Sequence, residues 1–199
     1  MVNRSGSFSP SPAIQRVAGA LRIIGWGSFW AQVVLGVISA IVLLVAGSSL
    51  GSSRPNPANP ASVASTNPGT GTGLFLAFLG IVALGGSIYW AFRYTRLARK
   101  LKSANAADRP KRGDAIQTLQ IGVLINLGGL LVAVLGAQAI SGSLLLKSFA
   151  QGFTIFAGNA LNFITPLDLL VVQANTNTIL AHLIGLGSTL LILRSINRT

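Results

Sequence analysis

The chain's one histidine, His182, follows Asn175 and Thr178 at the i, i+3, i+7 spacing that puts three side chains on one helical face. Gln173 and Asn177 stand four apart on a neighbouring stripe. An imidazole can ligate a cation or carry a proton, and amide and hydroxyl oxygens can accept from a donor or face a metal ion. Asn126, Gln117 and Gln120 add amides earlier in the chain, and Asp168 adds a carboxylate shortly before the polar row. The residues after His182 read LIGLGSTLLIL, so the row is carried towards hydrocarbon. Polar groups there are costly unless they face a bundle interior or water. Two readings follow. The row lines a path for a small solute or ion, with His182 as ligand or gate, or it is interhelical hydrogen bonding that fixes a bundle.

Other chemistry lacks parts. The carboxylates are Asp108, Asp114 and Asp168, and there is no cysteine. Paired catalytic acids, a Ser/His/Asp set and a His/Asp metal cluster cannot be assembled from this inventory. No glycine-rich phosphate loop follows a strand. The reading is that the chain is not an enzyme and holds no resident cofactor.

The elements that must position the row are membrane helices. Of 199 residues, 51% are hydrophobic and only 9% charged, with a mean hydropathy of +0.65, whereas soluble domains carry about 25% charged residues. A bilayer core asks for roughly 20 apolar residues in helix. Four such spans are expected at about 25–46, 74–92, 115–138 and 171–193, in an all-α integral membrane protein forming one membrane domain over 16–199. Trp26 and Trp30 open the first span, and Tyr89 and Trp90 close the second, as suits the interface. Gly36 and Ala40 make a small-xxx-small pair, and Gly122, Gly129 and Gly136 form a smooth seam on span three. Asp114 and Gln117 resemble a capping box at that span's start. Residues 1–15 read as a disordered tail, 13–24 as an amphipathic lead-in, 47–73 as a flexible loop and 93–113 as a basic loop that begins helical. Segment 139–168 reads as an interfacial amphipathic helix, with a continuation of span three as the alternative. Spans three and four are expected to face each other across the polar residues.

Charge sets the orientation. The net charge is +12, but the basic residues flank apolar spans instead of lining a soluble face, which argues against nucleic acid. With four spans, the N-terminal segment, the 93–112 stretch and the C-terminus share a side holding 13 basic residues, against Arg54 and Lys147 on the other. The positive-inside rule then puts both termini on the cytoplasmic or stromal side. The eight basic residues of 93–112 are either this topogenic signal or a surface for anionic lipid or an acidic partner. The N-terminus has neither a secretory signal nor a long transit peptide in its pattern.

WGSFWAQVVLGVISA (26–40), YWAFRYTRLARKL (89–101), IGVLINLGGLLVAVLGAQA (121–139) and VVQANTNTILAHLIGLGSTLLILRSI (171–196) resemble a family shared by cyanobacteria and plastids. In plants that family is the four-helix inner-envelope protein known as "permease in chloroplasts" and as the smaller four-helix subunit of the Tic translocon. The lack of a transit-peptide pattern suits a cyanobacterial member, in the plasma or thylakoid membrane. The resemblance implies iron transport across the inner membrane or, alternatively, a scaffold or protein-translocon role. The iron role transfers more naturally to a cyanobacterium, which has no chloroplast-type import. Iron favours imidazole, carboxylate or sulfur ligands, so His182 and Asp168 are the candidate metal residues. Asn126, Gln173, Asn175, Asn177, Thr178 and His182 form the candidate pathway or interhelical network. Membrane lipids, further membrane subunits and a homo-oligomer gathering several His182 side chains are the expected partners.

Overall fold

A computed structural model describes residues 12–51, 68–103, 110–156, 164 and 166–197. Four helices make up nearly all of this: α1 (Pro12–Gly51), α2 (Pro68–Leu101), α3 (Arg112–Phe156) and α4 (Pro166–Asn197). Three of them begin on proline, whose missing N–H costs nothing in a first turn and whose φ is already helical. Each contains a segment long and apolar enough to cross a membrane. Of the expected tail over 1–15, residues 1–11 lie outside the described residues, as do 52–67 of the 47–73 loop and 104–109 of the basic loop, whereas 12–15, 47–51 and 68–73 are helical and not tail or loop. The helices reach further than the apolar runs alone. The lead-in at 13–24 is the first part of α1, and Arg93 to Leu101 is the last part of α2.

The buried positions recur every three or four residues on every helix. On α1 they include Leu21, Gly25, Ser28, Gln32, Gly36, Ser39 and Leu43; on α2, Gly73, Ala77, Gly80, Leu84, Ser87 and Ala91. On α3 they include Leu119, Gly122, Asn126, Gly129, Ala133, Gly136 and Ile140, and on α4 Asn175, Thr178, Ala181, His182, Gly185 and Thr189. These inward stripes are mostly small or polar. The outward faces carry Val34, Ile41, Phe75, Phe78, Leu124, Leu131, Leu183 and Leu191. A soluble bundle has the reverse arrangement. In lipid, outward leucines lose nothing, and helices are held by close approach of small residues and by interhelical hydrogen bonds. The four helices are therefore membrane spans, as expected.

Two apolar clusters define the ends. Val17 and Leu21 of α1 meet Tyr94 and Ala98 of α2, Leu119 of α3, and Ile192 and Ile196 of α4. At the other end Leu43, Ala77, Ile140 and Ala174 meet. Each helix thus runs opposite to its chain neighbour, and the described chain starts and finishes at one end. Around the bundle α1 packs on α2 and α4, and α3 packs on α2 and α4. Side chains fasten both ends. Arg112 donates through Nη2 to the Ile196 carbonyl at 3.1 Å, serving an orphan acceptor in the last turn of α4. Lys147 Nζ lies 2.8 Å from Asp168 Oδ1, tying α3 to the first turn of α4, where a carboxylate also suits the helix dipole.

The 139–168 segment does not begin a separate interfacial helix at 139. Residues up to Phe156 continue α3 unbroken, which was the alternative reading. The physical reason is that Ile140 and Ser143 extend the buried stripe of Ala133 and Gly136 in register. The helix-period pattern around Leu145, Leu146 and Phe149 belongs to one long helix whose outer side they occupy. No proline interrupts it before Pro166.

The two ends can be told apart chemically, because the chain has no native cysteine. A membrane-impermeant thiol reagent applied to sealed, oriented vesicles is expected to label Lys111→Cys from one side only and Ser148→Cys from the other side only. Labelling of both from the same side would rule out the up-down-up-down bundle.

Candidate functional site

The four inward stripes converge on a seam of polar side chains along the bundle axis. Gln32, Ser87 and Asn126 come from three different helices and meet at mid-bundle. Gln32 Nε2 donates to the Ala181 carbonyl at 3.3 Å, and Ser87 Oγ lies 2.7 Å from Asn126 Oδ1 and 3.2 Å from Gln32 Oε1. Asn126 Nδ2 donates to the Gly122 carbonyl of its own helix at 2.9 Å. Seven residues on from Gln32, Ser39 donates to the Ala174 carbonyl at 2.8 Å. The α1–α4 contact therefore repeats one heptad apart on both helices, which run antiparallel. Asn175 Nδ2 crosses to the Ala133 carbonyl at 3.0 Å, and Thr178 bonds back to the Ala174 carbonyl at 3.0 Å. His182 Nε2 lies 3.2 Å from the Gly80 carbonyl. Towards the termini, Tyr94 and Thr189 hydroxyls meet at 3.3 Å.

Each bulky polar group of this seam sits over a glycine of a facing helix. A Cβ at Gly129 would overlap the His182 ring, and one at Gly122 would overlap the Tyr94 hydroxyl. One at Gly185 would collide with the amides of Gln32 and Asn126. At Gly136 it would lie 3.2 Å from the Ala77 nitrogen and 3.3 Å from Asn175 Oδ1. The expected glycine seam of α3 is therefore a row of seats, shared between α2 and α4.

Proton bookkeeping exposes the seam's character. A carbonyl can only accept, so His182 carries its proton on Nε2, and its Nδ1 lone pair is left bare. His182 Nδ1 and Asn175 Oδ1 are fully buried and have no partner. The Ser87 hydroxyl has one proton for two oxygens. The Asn126 amide is oriented by its bond to Gly122, so the 2.7 Å contact takes that proton and Gln32 Oε1 is served weakly at best. The interior is thus short of donors at three heights. An uncompensated buried acceptor costs about 1–3 kcal/mol, and a cation or a proton donor is what would relieve it.

The sequence-derived residues divide. Asn126, Asn175, Thr178 and His182 are buried together, and spans three and four do face each other across them. Gln173 points outward and bonds Asn177 at 3.0 Å, an i, i+4 pair that stays off the seam. Gln117 and Gln120 are exposed as well. Asp168 is engaged by Lys147 in the first turn of α4. At a rise of about 1.5 Å per residue, roughly 20 Å of helix separates it from His182, so the two cannot share one metal ion. Among the described residues no group of three metal-ligating side chains forms. His182 is wholly buried in its own chain's bundle, which leaves no imidazole at a surface for copies to pool. Gln32, Ser39, Ser87, Tyr94 and Thr189 were not anticipated. The sign was available: Ser28, Gln32, Gly36 and Ser39 recur every three or four residues, and so do Gly80, Leu84 and Ser87. The small-xxx-small pair had the right glycine, but Ser39 and not Ala40 faces inward beside it.

Fold and seam define a multi-pass α-helical membrane protein with a donor-poor polar interior. The chain belongs to the family described as protein of unknown function (DUF3611), which it matches over residues 11–197. It is 31% identical over 188 residues to "Protein TIC 21, chloroplastic" of Arabidopsis thaliana, in agreement with the resemblance to the plastid Tic family. That match covers 92% of this chain but 58% of the plant protein, so the chain spans well under two thirds of that relative's length. No solved structure matches.

The glycine seats make a coupled prediction. Gly129→Ala is expected to destabilise the bundle by about 1–3 kcal/mol, the range for overpacking a tight core, read as a lowered unfolding midpoint in detergent. Adding His182→Ala should give back part of that loss, because the new methyl then has room. Purely additive effects of the two changes would mean that the ring and the glycine are not in contact.

Proposed function

We propose that the chain is a permease-type membrane protein that passes a small cation, with ferrous iron first among the candidates, along the buried seam. The observation that carries this reading is the pair of unpartnered acceptors, His182 Nδ1 and Asn175 Oδ1, one heptad apart on the same inward face of α4. Bare lone pairs attract cations and repel anions. Buried acceptors without partners stand out in a native fold and suit a transient ligand. Imidazole nitrogen and amide oxygen are acceptable first ligands for a divalent first-row ion that keeps much of its hydration. Iron itself rests on the family resemblance, which also supports a cyanobacterial plasma or thylakoid membrane. The termini are assigned to the cytoplasmic side from charge. Arg16, Arg22, Arg93, Arg96, Arg99 and Lys100 gather at the termini end, while Lys147 stands at the other. The role is non-enzymatic and needs no resident cofactor.

A second reading has its own support. Gln32, Ser39 and Asn175 donate to carbonyls of neighbouring helices, and such bonds are ordinary glue worth about 0.6–2 kcal/mol each. On that view the chain is a non-transporting subunit of a membrane assembly, which the name of the Arabidopsis relative favours.

Ferrous iron uptake into sealed liposomes separates the two. Wild-type protein is expected to load vesicles well above empty controls, and His182→Ala to cut the rate at least about tenfold, one ligand's worth of affinity. Absence of uptake by a folded, inserted protein would favour the subunit. Thr178→Cys, in the otherwise cysteine-free chain, gives an independent check. Reaction with a small polar thiol reagent, slowed by ferrous iron, is the permease result, and complete protection in every condition is the subunit result.

A further inference from the structure

Between α1 and α2, at the termini end, lies a groove of about 830 Å³ that the polar seam does not use. Chain direction orders its lining. α1 enters from the terminal end, so Arg22 is near the mouth and Trp26 and Gly27 lie deeper. α2 runs the other way, so Phe92 is deep and Arg99 and Lys102 are at the mouth. The groove is thus cationic at its outer end and aromatic about one to two helical turns further in, at the level of the interfacial aromatic belt. Trp26 and Phe92 supply its aromatic lining, and Phe29, outside the lining, stacks on Trp26 at 5.5 Å and lies 5.9 Å from Phe92. Its floor is open at Gly27, where an added Cβ would meet nothing within 4 Å. Among the described residues no ion pair engages Arg22, Arg99 or Lys102; the described pair, Lys147 with Asp168, is at the opposite end.

Three cations around one mouth repel each other and call for an anion. The apolar depth beneath them calls for a hydrocarbon chain joined to that anion. A soluble phosphate supplies the first only, and an uncharged lipid the second only. We propose that the groove binds an anionic phospholipid of the surrounding membrane, with Arg22, Arg99 and Lys102 on its headgroup phosphate and an acyl chain lying over Gly27 between Trp26 and Phe92. The site is distinct from the cation seam and holds whether or not the chain transports.

The test is native mass spectrometry of the detergent-purified full chain, titrated with phosphatidylglycerol or with phosphatidylcholine of the same acyl composition. Phosphatidylglycerol is expected to be retained one per chain and at least about tenfold more tightly, since each cation near a headgroup contributes about fivefold. Two kinds of variant probe the two halves. Arg22→Gln with Arg99→Gln and Lys102→Gln should abolish the preference. Gly27→Leu puts a side chain into the groove at a position where its Cβ meets nothing within 4 Å, and should cut retention at least about fivefold with helical content unchanged. A control triple, Lys100→Gln with Lys111→Gln and Arg194→Gln, removes the same charge from exposed positions outside the groove and should leave binding intact. Equal retention of the two lipids would overturn the proposal. So would an equal loss in the control triple, unchanged binding by Gly27→Leu, or full displacement of the lipid by glycerol phosphate. If the groove triple does not fold, Gly27→Leu and the control triple decide the matter.

Discussion

The His182 ring rests against Gly129 because a glycine in the middle of α3 leaves a side-chain-sized vacancy on a face that must pack tightly. Much else depends on that kind of contact. Within a bilayer, burying leucine gains nothing over leaving it in lipid, so helices must be joined by backbone proximity and by polar bonds that lipid cannot supply. Small residues provide the first and amides, hydroxyls and one imidazole the second. The two are mutually required here. Tyr94 fits because Gly122 faces it, Gln32 and Asn126 fit because Gly185 does, and Asn175 fits against Gly136.

The same pairing explains how a closed bundle can hold a polar interior without a wide channel. Seated groups reach carbonyls on neighbouring helices, and most of their donors are satisfied. What is left over is acceptor capacity, on His182, Asn175 and Gln32. A seam with surplus lone pairs is biased towards positive charge before any particular ion is considered. The termini end of the molecule carries the opposite bias. Cations gather at the termini end and press on the region where headgroups lie, where Arg93 stacks over Trp90 at 5.0 Å and Arg96 over Phe92 at 5.1 Å. The aromatic belt therefore anchors the bundle and holds part of its positive charge against the interface.

The sequence alone determined the membrane class, the four spans and the sidedness of charge. Those depend on long apolar runs, on where lysine and arginine interrupt them, and on a glycine seam with a seven-residue period, all of which are local or additive. It also singled out Asn126, Asn175, Thr178 and His182, because a polar residue in a hydrocarbon-length run is conspicuous wherever it points. Tertiary structure alone decided which polar residues face one another. Gln173 and Asn177 share the opening row with His182 yet lie outside, since a helix turns about 100° per residue and only the partner helices define which stripe is inner. Asp168 was legible as a carboxylate just before the polar row, but its engagement by Lys147 required α3 to continue past residue 139 and α4 to start beside it. Ser39, Ser87 and Gln32 gained their meaning only from residues far away in the chain. Spacing gives a face, whereas a bond across the bundle needs the facing helix to be there.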